Sequence, residues 1–418
     1  MALKIPPALR HRRFTILWFG LLISIAGSNM QVAALHWHIR ELSGGPNPLA
    51  LGGIGLARIL PIAIFSLVGG AAADTFNRRK ILLITQSMLV LCALALAALT
   101  YTGQIQIWQI YLLTAIQAGT IAFDLPARQA MVPNLVPAED LPSAFSMTSI
   151  AFNTGAILGP GLSGVVIATL GQGYAYLFNA ISYLAVIAAI LAIGSVPQDT
   201  SRSVGIRLSA ITEGVRFIFA RKIILSSMLL DFFATFFASA NTMMPIIARD
   251  ILRVGPQGYG WLTAAQPIGS VIAGLVASQA HGLRRQGRLL LGSVIVFGAA
   301  TILFGMSDAF GVAMVTLIVM GGADAISTII RNTIRQLQTP DQMRGRMTSI
   351  NQIFFQGGPQ LGEVEAGVVA QLFGVPFAII TGGIGTILAT IFIARKWPVL
   401  RTYDGDEYLV QQASAPAD

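Results

Sequence analysis

Residues 69–80 read GGAAADTFNRRK: five small residues, then Asp74, then the basic trio Arg78, Arg79 and Lys80. The stretches on either side, 49–73 and 81–101, are long and apolar, with Arg58 the only charge in either. A short basic turn between two such stretches is what a chain makes when it leaves a bilayer, turns at its surface and re-enters, because Lys and Arg anchor the ends of spanning helices.

Composition extends that reading to the whole chain. Of 418 residues, 54% are hydrophobic and 11% charged, against about 25% charged in soluble domains. The net charge of +9 is spread in short basic clusters between apolar runs rather than along one stripe, which argues against a nucleic-acid partner. Cys92 is the single cysteine, so no disulfide framework forms within the chain. The N-terminal MALKIPPALRHRRF is basic, but the apolar run after it is too long for a cleaved signal and reads as a retained first span.

A hydrocarbon core about 30 Å thick needs about 20 apolar residues per helix. Twelve stretches qualify: 14–37, 49–73, 81–101, 107–126, 141–169, 174–196, 223–248, 258–281, 289–307, 311–331, 347–372 and 374–394. With the N-terminus in the cytoplasm, all of the 27 Lys and Arg except Arg40, Arg58, Arg249 and Arg253 fall in cytoplasmic segments. The expectation is a multi-pass protein of the plasma (inner) membrane, with both termini cytoplasmic.

The longest polar connection, 197–222, divides the chain into a first six-helix bundle over 1–196 and a second over 223–418 that ends in a short cytoplasmic tail. Its end, AITEGVRFIFARK, has the pattern of an amphipathic helix on the membrane surface. The halves also repeat. Gly119, Arg128 and Pro137 recur as Gly322, Arg331 and Pro340; Met147-Thr148-Ser149 recurs as Met347-Thr348-Ser349; Gly159-Pro160 recurs as Gly358-Pro359; and Gly171 recurs as Gly374. The fold class expected is an all-α membrane protein of twelve helices in two pseudo-symmetric bundles, related by an axis along the membrane normal.

On these residues the chain resembles the major facilitator superfamily. Gly70, Asp74, Arg78 and Arg79 match that superfamily's loop between spans two and three, which the resemblance makes a conformational latch. Asn77 stands where a glycine is usual, and Asn tolerates the left-handed backbone a glycine would take. Gly155, Gly159, Pro160 and Gly164 resemble the antiporter motif of proton-coupled exporters. The segments HRRFTILWFG (11–20), ARQAMVPNLVPAEDL (127–141) and LQTPDQMRGRMTSI (337–350) are similar to the enterobactin exporter and macrolide efflux branch. The resemblance implies a secondary active exporter of small amphipathic molecules, working by alternating access and proton antiport. It implies protons as coupling ion, lipid around a monomer, and no cofactor. Whether the cargo is a siderophore or a range of drugs stays open. One departure bears on coupling: Thr114 stands where many proton-coupled drug exporters carry an arginine.

Ionisable residues inside spans are costly and are functional candidates by default. They are Arg58, Asp124, Asp231, Asp324, Glu363 and Glu365. Asp324, seven residues before Arg331, lies about 10 Å from the cytoplasmic end and is the first candidate to carry a proton or sense cargo, with Asp231 second. Asp124, four residues before Arg128, fits a pair within its own helix. Arg58 and Glu363 each lie about nine residues, or about 13 Å, from the outer ends of their spans. In the superfamily those spans face each other, which makes the two a candidate outer gate. Exchanging both charges is expected to restore the transport that each single reversal abolishes; absence of rescue in a flux assay would sink the pair. Phe232 and Phe236, with Gln356, Asn153 and Gln31, are candidates for a cargo cavity, since aromatic faces suit flat or amphipathic ligands.

Other classes lack their chemistry. No G-x-x-x-x-G-K-[ST] loop is present for ATP, and no H-E-x-x-H, G-x-S-x-G or paired metal-ligand motif. An intramembrane enzyme and a non-transporting receptor remain as alternatives, and no metal site is expected.

Overall fold

The computed structural model describes residues 6–194, 208–279 and 285–405. The connector residues 197–207 and the side chain of Asp74 lie outside what is described. Within it the chain is helical, with no strand among the described residues.

The first six long helices are α1 (Arg12–Leu42), α2 (Pro48–Thr75), α3 (Arg78–Tyr101), α4 (Ile107–Met131), α5 (Leu141–Thr169) and α6 (Gln172–Ile193). Their starts are legible locally. Asn47 accepts a hydrogen bond from the Ala50 amide at 3.0 Å, with Pro48 as first helical residue. Asn77 does the same for Lys80 at 3.2 Å. Asn77 has φ −62°, so it serves as a side-chain cap rather than through the left-handed backbone anticipated for it.

The amphipathic α7 (Leu208–Ala220) follows, burying Ile218 and exposing Glu213 and Arg216. The seventh span is broken rather than continuous: α8 (Lys222–Phe237) gives way to a 3-10 turn (Ala240–Met243), the short α9 (Met244–Ile246) and a π turn (Ile247–Ile251). Polar side chains compete with the backbone there. Ser239 Oγ donates to Thr235 O at 2.7 Å and to Pro359 O at 2.8 Å, and Pro245 lacks the amide that a continued helix would need.

Then come α10 (Gly255–Gln279), α11 (Gln286–Gly305), α12 (Phe310–Leu337), α13 (Asp341–Phe373), α14 (Val375–Lys396) and the short α15 (Pro398–Thr402). Eleven described helices are long and apolar enough to cross a membrane. The sequence reading counts twelve; the difference is α13, which has the length at 33 residues but carries Asn351, Gln352, Gln356, Gln360, Glu363 and Glu365 along its course.

The chain packs as two compact units. One is built from residues 1–206 with 248–264, the other from 207–247 with 265–418. The first therefore takes in a segment that lies, by sequence, in the second bundle. Its core gathers Phe14, Leu17, Leu21, Leu82, Met131 and Met147, with a second cluster of Leu89, Ala93, Ala180 and Tyr183. The core of the other unit gathers Ile224, Met228, Leu290, Ile334, Met347 and Leu400. The internal repeat is visible in the backbone. Gly171 and Gly374 precede α6 and α14 with φ of 92° and 91°, a left-handed region that glycine enters without strain.

Candidate functional site

The second unit holds a charge cluster sealed among helices. Asp231 of α8 and Arg331 of α12 are each 1% exposed, and Arg331 heads the largest fully buried side chains. Asp231 Oδ1 lies 2.9 Å from Arg331 Nη1, and Oδ2 lies 3.9 Å from Arg335 Nη1. The close approach is an ion pair rather than an aligned hydrogen bond, for neither Asp231 oxygen has a hydrogen-bond partner among the described residues. Arg331 Nη2 donates to Thr328 at 2.8 Å and sits 3.6 Å from Asp324 Oδ1. Arg335 donates to Asn351 of α13 and, at 2.6 Å, to Asn332. Two carboxylates thus face two guanidiniums in a near-neutral group. Asp324, whose side chain is 46% exposed, is its open member.

Arg331 and Arg335 were placed by the positive-residue census among the cytoplasmic anchors; the structure buries both. Their burial follows from a partner about 100 residues upstream, which spacing along one helix cannot reveal. In the first unit Arg128, the repeat counterpart of Arg331, pairs with Asp124 on its own helix, as the four-residue spacing suggests. Asp124 is also buried, and accepts from Thr85 at 2.8 Å and Gln86 at 2.7 Å on α3. It ties α3 to α4 rather than lying at the interface with solvent. A Thr-Gln pair in the middle of an apolar span was the sequence signal for that partner.

An amide chain crosses the same unit. Asn179 Nδ2 donates to Gln31 Oε1 at 2.8 Å, and Gln31 Nε2 donates to Gln117 Oε1 at 2.9 Å, joining α6, α1 and α4. Gln31 is therefore fully engaged among helices. Beside it the buried Thr114 Oγ1 and Gln117 Nε2 lack a partner among the described residues. Asn153 is exposed and donates to Ser149 O of its own helix at 3.0 Å.

The glycines of the α5 motif are contact points. A Cβ on Gly155 would meet Ile25 Cγ2 at 2.6 Å, and one on Gly159 would meet Ala26 O at 2.6 Å, so both let α5 press on α1. A Cβ on Gly164 would meet Pro256 O at 2.6 Å and Gly260 Cα at 3.0 Å. The segment 248–264 is thereby joined to α5, and it is joined to α1 by charge. Arg40 Nε and Nη2 donate to Asp250 at 2.8 and 2.5 Å, Arg249 lies 3.5 Å from Glu41, and Tyr259 Oη donates to Ala33 O at 2.8 Å.

Of the candidate latch residues, Gly70 has nothing within 4 Å of where a Cβ would lie. Arg78 donates to Ala73 O at 3.1 Å and Ala130 O at 3.0 Å, and Arg79 to Ile190 O at 3.4 Å. Arg58 belongs to the first unit and Glu363 to the second, each half-buried. The aromatic run on α8 is half-buried and self-stacked, with Phe232 and Phe236 rings 5.9 Å apart and nearly parallel, and Phe354 of α13 edge-on to Phe232 at 6.1 Å. Gln356 is half-buried on α13.

The comparisons with known proteins agree on what this architecture is. The multidrug efflux pump Tap of Mycolicibacterium fortuitum is 25% identical over 401 residues, spanning 93% of this chain and 96% of Tap. The enterobactin exporter EntS of Escherichia coli O1:K1 / APEC is 24% identical over 337 residues, 81% of this chain and 80% of EntS. A POT family transporter solved in complex with 5-aminolevulinic acid shares the fold, with a TM-score of 0.74 at 12% identity over 93% of this chain and 96% of that one. The profile of transmembrane secretion effectors matches residues 5–413. With that match running almost from end to end, the chain belongs to the transmembrane secretion effector family of the major facilitator superfamily, a multi-pass membrane transporter and not an enzyme.

Proposed function

We propose that this transporter exports small amphipathic molecules across the plasma membrane by proton antiport, with both termini in the cytoplasm. The observation that carries the reading is the group Asp231, Asp324, Arg331 and Arg335. Charges inside a spanning bundle persist where they are used, and here one carboxylate is open while the other is sealed. A proton on Asp324 removes one of the two carboxylates that hold Arg331. The guanidinium is then pulled only toward Asp231, and the group gains net positive charge. Loss of that proton reverses the shift, so proton occupancy and helix arrangement are linked, as coupled exchange requires.

The half-buried aromatic run on α8, beside Asp231, supplies the apolar face that an amphipathic cargo needs. Export is supported by the α5 glycines and by what the two curated relatives are named for, drugs in one case and a siderophore in the other.

The test is flux of a fluorescent amphipathic cation from proteoliposomes with and without an imposed pH gradient. The expected result is about a five-fold or greater acceleration by the gradient, abolished by a protonophore. Flux indifferent to the gradient overturns antiport, and no protein-dependent flux of the fluorescent cation or of a catecholate siderophore overturns export of this cargo class.

A further inference from the structure

α2 packs on α4 and α4 on α3, while α2 and α3 scarcely touch. The gap is a groove of about 940 Å³. Its walls include Pro61, Phe65, Ile84, Met88, Ile116 and Phe123, and Asn77 and Lys80 lie at one end. Phe65, Ile84 and Ile116 are among the exposed large hydrophobics, so the groove opens sideways toward the bilayer.

The polar demand inside it is already met. Thr85 Oγ1 donates to Asp124 and Leu82, Thr120 Oγ1 donates to Ile116 O, and the Asn77 side chain caps Lys80. Of the basic trio, Arg78 and Arg79 spend donors on backbone carbonyls. Among the described residues the Lys80 ammonium makes no ion pair and no acidic side chain lines the groove.

We propose that this groove is a binding site for an anionic phospholipid of the bilayer, with its phosphate on Lys80 and an acyl chain along α3 and α4. An apolar trough with a single cation at one end complements one anionic headgroup and one tail. From Lys80 to Met88 the trough runs about 12 Å, most of the roughly 15 Å depth of one leaflet. A membrane-surface lysine favours anionic over zwitterionic lipid. The lipid fills the space between α2 and α3 directly under the turn 76–77, and so stiffens the latch loop. This assignment stands independently of the proton-antiport reading.

The experiment is native mass spectrometry of the purified full-length protein, titrated with equimolar phosphatidylglycerol and phosphatidylcholine. The expected result is one phosphatidylglycerol retained about five-fold over phosphatidylcholine, falling to parity in Lys80→Gln. Ala115→Phe, which fills the groove, lowers retention of both lipids. Lipid-free melting temperatures within about 2 °C of the parent show that neither variant is misfolded. Undiminished preference in Lys80→Gln overturns the headgroup assignment. Unchanged retention in Ala115→Phe overturns the groove as the site, and displacement of the bound lipid by ethidium assigns the groove to cargo instead.

Discussion

Asp231→Asn is expected to abolish gradient-driven flux and to lower thermal stability. The substitution keeps the shape of the side chain but leaves Arg331 buried without its nearest anion. Removing one member of a buried pair costs about 3–5 kcal/mol. Thr328 and the more distant Asp324 remain with Arg331, which puts the expected loss at about 3 kcal/mol. A melting scan in detergent should read this as a fall of several degrees.

Stability and transport can be separated. Replacing both partners with apolar residues, Asp231→Leu with Arg331→Met, removes the Arg331 charge and is expected to recover about half of the lost stability, since Arg335 still loses Asp231. Arg335 keeps Asn332 and Asn351, and Asp324 keeps its exposure. Flux should stay lost in this double variant, because nothing remains for the proton to release. Native flux in Asp231→Asn, or full flux in the double variant, would remove the group from the mechanism.

Arg40→Ala is expected to open the seam that joins α1 to the 248–264 segment. The bidentate Arg40–Asp250 contact is charge-assisted and partly buried, and such contacts contribute about 2 kcal/mol, or about a 30-fold change in an opening equilibrium. The Arg249–Glu41 pair is much more exposed and adds little. The readout is maleimide labelling at Ala33→Cys, whose backbone carbonyl holds Tyr259, in a Cys92→Ser background. Labelling should rise at least about 10-fold in Arg40→Ala. Exchange of charges, Arg40→Asp with Asp250→Arg, should return it to within about two-fold of the parent. Labelling unaffected by Arg40→Ala would show that the charges do not hold the seam.

The sequence shows some of this plainly and hides the rest for physical reasons. Gly171 and Gly374 reveal the repeat because a positive φ demands the same residue twice. The end of α2 and the start of α3 are legible from Asn77, although its role is capping. Asp231 was a candidate from its place in an apolar run, but its partners were not. Arg331 and Arg335 sit near the end of a span, where arginine ordinarily marks the surface, and only tertiary packing turns them inward. Asp124 was read from its own helix alone, since an i to i+4 spacing is visible in sequence and a contact with Thr85 and Gln86 across helices is not. The break in the seventh span was not read, although Asn241 and Pro245 lie inside the 223–248 stretch and mark where a continuous helix fails. The turn emerges from Ser239 bonding sideways to α13 and from the missing amide of Pro245.

That break coincides with a border of packing. Packing borders run at 206/207, within the connector that divides the halves by sequence, and again at 247/248 and 264/265. Tight, regular and wide helical turns follow one another over Ala240–Ile251. Gly255 at φ 67° turns the chain at the start of α10. The 247/248 border thus falls where the backbone departs from regular α-helix, and the 264/265 border falls inside α10.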